Sequence, residues 1–305
     1  MPSGLAVGIV GLPNVGKSTL FNALLKKQVA YVANFPFATI EPNVGVVPVP
    51  DPRLAKLADV VKNAEKMNSL PPEVPATVKF VDIAGLIKGS SQGEGLGNKF
   101  LSHIREVDAI LYLLRDFTDE NIIKAGSVNP QADLETLRME LELADLDAKE
   151  KVNLLAKKPG IVVYNTDEDK LNNGGLRICA KLEEELAELS EEEQKEYLQQ
   201  LGIAKTGLEK VIQKAFEILG LQTFLTAGTK EVRAWTIRRG ETAVKASGVI
   251  HTDFMAKFIK AEVVDFDDFI AAGGWKRARE LGKMRLEGRD YVMQEGDVVE
   301  FKIGS

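Results

Sequence analysis

Apolar and polar positions along the first 25 residues change period once. Leu5-Ala-Val-Gly-Ile-Val10 is continuously apolar, the pattern of a strand covered on both faces, whereas Thr19-Leu-Phe-Asn-Ala-Leu-Leu25 carries its apolar positions at helical spacing. Between them lies Gly11-Leu-Pro-Asn-Val-Gly16-Lys17-Ser18, so the segment reads strand, loop, helix. Further extended runs follow at Val44–Val49, Thr77–Asp82, Ala109–Leu114 and Gly160–Asn165, with a shorter one over Leu176–Lys181. Helical spacing marks the stretch from Pro130 through Leu134, Leu137 and Leu141, the acidic stretch Glu183–Glu196, read as a solvated face, and the amphipathic Leu208–Ile218. Strands alternating with helices predict an α/β fold with a doubly wound, mainly parallel sheet.

The texture changes after residue 220. Leu221–Thr226 and Val232–Ile237 read as a hairpin, a helix or loop begins at Ile250–Phe254, and Phe258–Val264, Tyr291-Val292 and Asp297–Ile303 supply more extended pieces. That mixture in so short a stretch fits a small α+β module of β-grasp type. The expected division is residues 1–220 and 221–305.

The first loop carries the chemistry. G-x-x-x-x-G-K-[ST] between a strand and a helix is a phosphate cradle: its glycines let successive N–H groups turn inward, and the helix N-terminus adds positive potential. Asn14, Val15, Gly16, Lys17, Ser18 and Thr19 are therefore candidate nucleotide contacts, with Lys17 on the β- and γ-phosphates and the Ser18 hydroxyl on Mg2+. Downstream, Asp82-Ile-Ala-Gly85 at a strand end offers Asp82 as a metal ligand and Gly85 as a γ-phosphate contact. Thr39, within the proline-flanked Asn34–Asn43, sits where a nucleotide-sensing switch belongs and can offer its hydroxyl to Mg2+; a plain connecting loop is the alternative. Leu86 stands where Ras-type GTPases carry a water-orienting glutamine, so it cannot polarise water. Asn14, with switch carbonyls, could hold K+ near the phosphates, or it caps the loop.

Base identity would be read at Asn165-Thr166-Asp167-Glu168. A guanine site has N-K-x-D, whose carboxylate accepts from the N1–H and the exocyclic amine. Here Asp167 comes one residue early, Glu168 reaches a methylene too far, and Thr166 lacks a long stem. Since guanine discrimination rests on buried, matched hydrogen bonds, ATP is expected to bind at least as well as GTP. Asn165, Glu168, Cys179 and Ala180 are the candidate base contacts.

Composition narrows the setting. An apolar content of 45% with 28% charged residues is ordinary for a globular chain. No apolar run nears the roughly 20 residues that span a bilayer, so no membrane partner is expected. A single cysteine excludes an internal disulfide, and two histidines make a His/Cys zinc site improbable. The expected compartment is cytoplasmic. A net charge of −6 argues against wholesale nucleic-acid coating. Lys276, Arg277, Arg279, Lys283, Arg285 and Arg289, near Trp275 and Tyr291, form a local basic cluster that reads equally as an RNA contact or a solvated face.

Taken together, Gly11–Ser18, the Thr39 segment, Asp82–Gly85 followed by Leu86, Asn165-x-x-Glu168 and Cys179-Ala-Lys181 resemble the YchF family of Obg-like ATPases. Gly248–Phe254 and Phe258–Val263 resemble that family's TGS domain. The resemblance implies Mg2+-dependent ATP hydrolysis with ATP preferred over GTP, and association with ribosomes or RNA. It also implies a long coiled-coil arm before the base motif, yet here only a short segment around 147–158 is available, so the arm is absent or truncated. An Obg-type GTPase and a nucleotide-gated adaptor with incidental hydrolysis remain as alternatives.

Overall fold

A computed structural model describes residues 4–34, 43–83, 101, 103–118, 128–146 and 154–304. The chain forms two compact units, one from Leu5–Pro48 and Val78–Leu219, the other from Met1–Gly4, Val49–Thr77 and Gly220–Ser305.

The first unit is built on a six-stranded sheet of order β2-β4-β1-β5-β6-β7. Its strands are β1 (Ala6–Val10), β2 (Val44–Pro48), β4 (Thr77–Asp82), β5 (Ala109–Asp116), β6 (Gly160–Thr166) and β7 (Leu176–Ile178), while β3 (Glu73–Val74) belongs to the other sheet. The pairs β1/β4, β1/β5, β5/β6 and β6/β7 are parallel. Every residue of β1 is buried, as its unbroken apolar run requires of a strand covered on both faces. Gly8 lets that covering come close, since a Cβ there would lie 2.5 Å from the Ile83 side chain. The helix Pro130–Leu146 buries Leu134, Leu137 and Leu141 against Ile110, Tyr112 and Leu114, so its apolar stripe is packing, as expected.

Two local features differ from the sequence reading. The acidic run is two helices, Ala180–Leu186 and Glu191–Gln200, the second opened by a Ser190–Glu193 capping box. Glu183 is not on a solvated face. It is buried, and one carboxylate oxygen accepts from the Leu208 N–H at 3.0 Å, serving the start of the next helix, Gly207–Ile218. Residues 147–153, where the shortened arm is expected, lie outside the described residues. On either side of them, the two Asp145 carboxylate oxygens accept from the Leu155 and Ala156 N–H groups, both at 2.9 Å.

In the second unit the sheet order is β11-β10-β12-β8-β9-β3. The expected hairpin is β8 (Leu221–Ala227) with β9 (Val232–Arg238), antiparallel throughout. β12 (Val298–Ile303) runs parallel to β8 and antiparallel to β10 (Phe258–Val264), which also pairs with β11 (Arg285–Glu287). Chain order would place residues 49–77 with the first unit, but they supply a helix, Arg53–Ala64, and β3 to the second. β3 extends the sheet by pairing parallel to β9. His251 caps the short helix Thr252–Lys257, its Nδ1 accepting from the Asp253 N–H at 3.3 Å. Four members of the basic cluster are engaged within this unit. Arg279 pairs with Glu262, Lys283 with Asp268, and Arg285 with Asp265 and Asp297, while Arg289 donates to the Phe258 and Met255 carbonyls.

Leu57, fully buried on the Arg53–Ala64 helix, should link that segment energetically to the C-terminal sheet. Leu57→Ala is expected to cost about 2–5 kcal/mol. Native-state hydrogen exchange should show the loss of protection in β8 and β9, with β1 and β5 unaffected; loss confined to β1 and β5 would contradict the assignment.

Candidate nucleotide site

The glycine-rich turn leaves the C-terminal end of β1 and runs into the helix Lys17–Asn34. Its backbone enters the left-handed region at Asn14 (φ 63°) and Gly16 (φ 90°). Glycine is required at 16 on two counts: its conformation, and a Cβ that would fall 2.2 Å from the Asn165 amide nitrogen. Val15 is buried beneath the turn. In the neighbouring strand, Asp82 pairs in register with Ile9 and forms an ion pair with the Lys17 ammonium.

Asn165, at the end of β6, joins this turn to the other half of the site. Its Nδ2 donates to the Val15 carbonyl and its Oδ1 accepts from the Ala180 N–H, each at 2.9 Å, and the side chain is buried. The sequence reading made Asn165 a base contact. Its amide also has one donor and one acceptor used by backbone, so it fixes the phosphate turn against the β7–helix junction while still lining the cavity.

A cavity of about 770 Å³ runs along this junction. Of the expected contacts, Asn14, Gly16, Lys17, Ser18, Thr19, Asn165, Cys179 and Ala180 line it. Val15 does not; it contributes its carbonyl from below. Asp82 reaches the site through Lys17. Glu168 does not line the cavity: it opens a short 3-10 turn, Glu168–Lys170, and is exposed. Thr39, Gly85 and Leu86 lie outside the described residues. Cys179 is the residue before the Ala180–Leu186 helix, and burial pushes its thiol up, so it remains an uncharged wall atom at neutral pH.

Phe117, Thr118 and Asp167 also line the cavity, and the sequence reading gave them no contact. The register explains why they converge: Arg115 and Asp116 of β5 lie beside Asn165 and Thr166 of β6, so residues just past both strand ends meet. Phe117 is held by the buried Arg115, whose guanidinium lies 4.6 Å from the ring centroid and whose Nε donates to the Phe117 carbonyl at 3.3 Å. Asp167 Oδ2 accepts from the Thr118 N–H and Oγ, both at 3.3 Å, and from Lys170 Nζ at 2.9 Å. Partial burial alone would raise the Asp167 carboxyl; the Lys170 and Thr118 donors outweigh it and hold the group below its ordinary value.

The amide bridge sets the next expectation. Asn165→Ala leaves a buried carbonyl and a buried N–H without partners and should lower stability by about 2–4 kcal/mol, measured by urea denaturation. A change under about 0.5 kcal/mol would show that the bridge is dispensable.

The comparisons with known proteins bear on the whole length. A model described as a 50S ribosome-binding GTPase matches residues 6–166, and one for the C-terminal domain of YchF GTPases, described as a protein of unknown function, matches residues 221–304. Proteins named ribosome-binding ATPase YchF are similar throughout. Those of Haemophilus ducreyi, Escherichia coli O157:H7 and Bacillus subtilis are 44%, 43% and 42% identical, with 98% of this chain and 99% of each relative covered. The alignment with the first spans 367 positions against the 305 residues here, so that relative carries internal residues with no counterpart in this chain. The solved structure of the Schizosaccharomyces pombe YchF GTPase matches with a TM-score of 0.82 at 32% identity, covering 98% of both chains. Identity at this level, sustained from end to end and over both units, has one reading: the chain belongs to the YchF family.

Proposed function

We propose that this chain is an ATP hydrolase of the cytoplasm that acts as a nucleotide-controlled switch and associates with ribosomes. The observation that carries the reading is the single cavity reaching from the phosphate turn to the ends of β5, β6 and β7, where a triphosphate and its base can be held together. The relatives' names supply the ribosomal partner. An RNA contact through the basic cluster rests on Lys276 and Arg277, since the other four members are engaged internally.

Preference for ATP over GTP follows from what faces the base. Guanine needs a carboxylate presented by both oxygens, but Glu168 is outside the cavity and one Asp167 oxygen is already taken. Phe117 and Cys179 add an apolar wall that favours neither purine.

The residues present fit Mg2+. Ser18 and Asp82 offer hard oxygen donors beside the phosphate turn, and among the described residues no cluster of three or more His, Cys, Asp or Glu forms an all-protein cage. That sparse donor set is what Mg2+ uses when phosphates complete its shell. Ser18 and Asp82, with Thr39 as a further proposed ligand, would hold the ion, which would supply charge neutralisation to the bound phosphates. Lys17 would exchange its ion pair with Asp82 for the phosphates, and the turn's N–H groups would stabilise charge developing on the transferred phosphoryl. Gly85 is the proposed γ-phosphate contact, and K+ near Asn14 is a proposed aid to charge neutralisation. With Leu86 in place of glutamine, turnover is slow until a partner or K+ completes the site.

A GTPase is the second reading, favoured by the description of the S. pombe relative. Calorimetric titration with Mg2+ should give a lower Kd for ATP than for GTP; a tenfold preference for GTP would refute the base assignment. Lys17→Ala should weaken both nucleotides about 10- to 100-fold, as expected for losing a charge-assisted contact. Unchanged affinity would remove the triphosphate from this turn.

A further inference from the structure

We propose that Lys170 and Thr118 form a clamp on Asp167 that disfavours guanine, a specificity device resting on the reading of the cavity as a nucleotide site. Asp167 lines the cavity close to where the base would lie, and it is the sole acidic residue of the Asn165–Glu168 segment to do so. Left alone, a carboxylate there could turn both oxygens toward the N1–H and the exocyclic amine of guanine despite its position in the motif. The structure shows it held otherwise. Oδ2 receives three donors, the Thr118 N–H and Oγ at 3.3 Å and Lys170 Nζ at 2.9 Å, which leaves Oδ1 for at most one edge contact.

Lys170 does this from outside, since it does not itself line the cavity. The turn Glu168–Lys170 brings its ammonium back over Asp167 three residues earlier, and Glu168, on the same turn, does not line the cavity. One short turn thus removes one carboxylate and ties down the other. On the edge where guanine carries its N1–H and exocyclic amine, adenine offers one N–H of its exocyclic amine beside an N1 acceptor, and the remaining Oδ1 suffices for that one donor.

Both partners of the ion pair are about one-third exposed, 32% for Asp167 and 35% for Lys170, so a modest effect is expected. Lys170→Met keeps the apolar stem and removes the charge. In titrations of ATP and GTP with Mg2+, the ratio Kd(GTP)/Kd(ATP) should fall about 2- to 5-fold from wild type. Thr118→Val, which removes the hydroxyl donor, should move the ratio the same way. In an Asp167→Ala background Lys170→Met should no longer change the ratio, because the clamp then has nothing to hold. A ratio unmoved by both single variants, or a Lys170→Met shift that persists without Asp167, overturns the clamp. A wild-type preference for GTP overturns the ATP assignment instead, because the clamp is read from the change between wild type and variant, whichever purine the wild type prefers.

Discussion

The site depends on one side-chain amide. Asn165 spans the Val15 carbonyl and the Ala180 N–H, and through those two hydrogen bonds the ends of β1, β6 and β7 become one surface. Both bonds are buried, so neither backbone group could turn to water if the amide were lost. The bridge also accounts for the absence of a side chain at position 16, where any Cβ would collide with the amide that holds the turn. The two ends of the cavity, the glycine-rich turn and the β7–helix junction, are therefore held in position by one side chain.

Around that bridge, charges satisfy one another in short local pairs. Lys17 lies against Asp82, Arg177 against Asp116, and Lys170 against Asp167. Arg177 also stacks on Tyr164, 5.0 Å from its ring centroid, which stiffens the β6–β7 edge of the site. The first two pairs join segments far apart in the chain near the C-terminal ends of parallel strands, whereas Lys170 and Asp167 are three residues apart just past β6. Lys17 and Asp82 are the groups expected to meet phosphate and metal, so their mutual pairing keeps two partly buried charges compensated.

The second unit resolves its own charges in the same manner. Its basic cluster read equally as an RNA contact or a solvated face in one dimension, and most of its members reach back to Glu262, Asp265, Asp268, Asp297 and local carbonyls. Sequence spacing cannot reveal this, because the acidic partners lie on other elements of the fold. Tyr291 shows the same closure: its hydroxyl donates to the buried Asp297, and burial with that hydrogen bond pushes it up to about 12.

Local chemistry determined much of this protein before any folding was considered. The strand–turn–helix around Gly11–Ser18, the buried runs of β1 and β5, the strand β6, the β8–β9 hairpin and the altered base motif all follow from patterns within a few residues, where periodicity and turn chemistry act. Tertiary structure decided what depends on distant neighbours. It moved residues 49–77 into the C-terminal unit, buried Glu183 under a helix start, brought Phe117 and Thr118 to the cavity wall, and gave Asn165 a bridging role between backbone groups. The physical reason is common to all four: a polar group's role is fixed by whichever donor or acceptor the packed strands bring within 3 Å or so, and chain order does not encode that proximity.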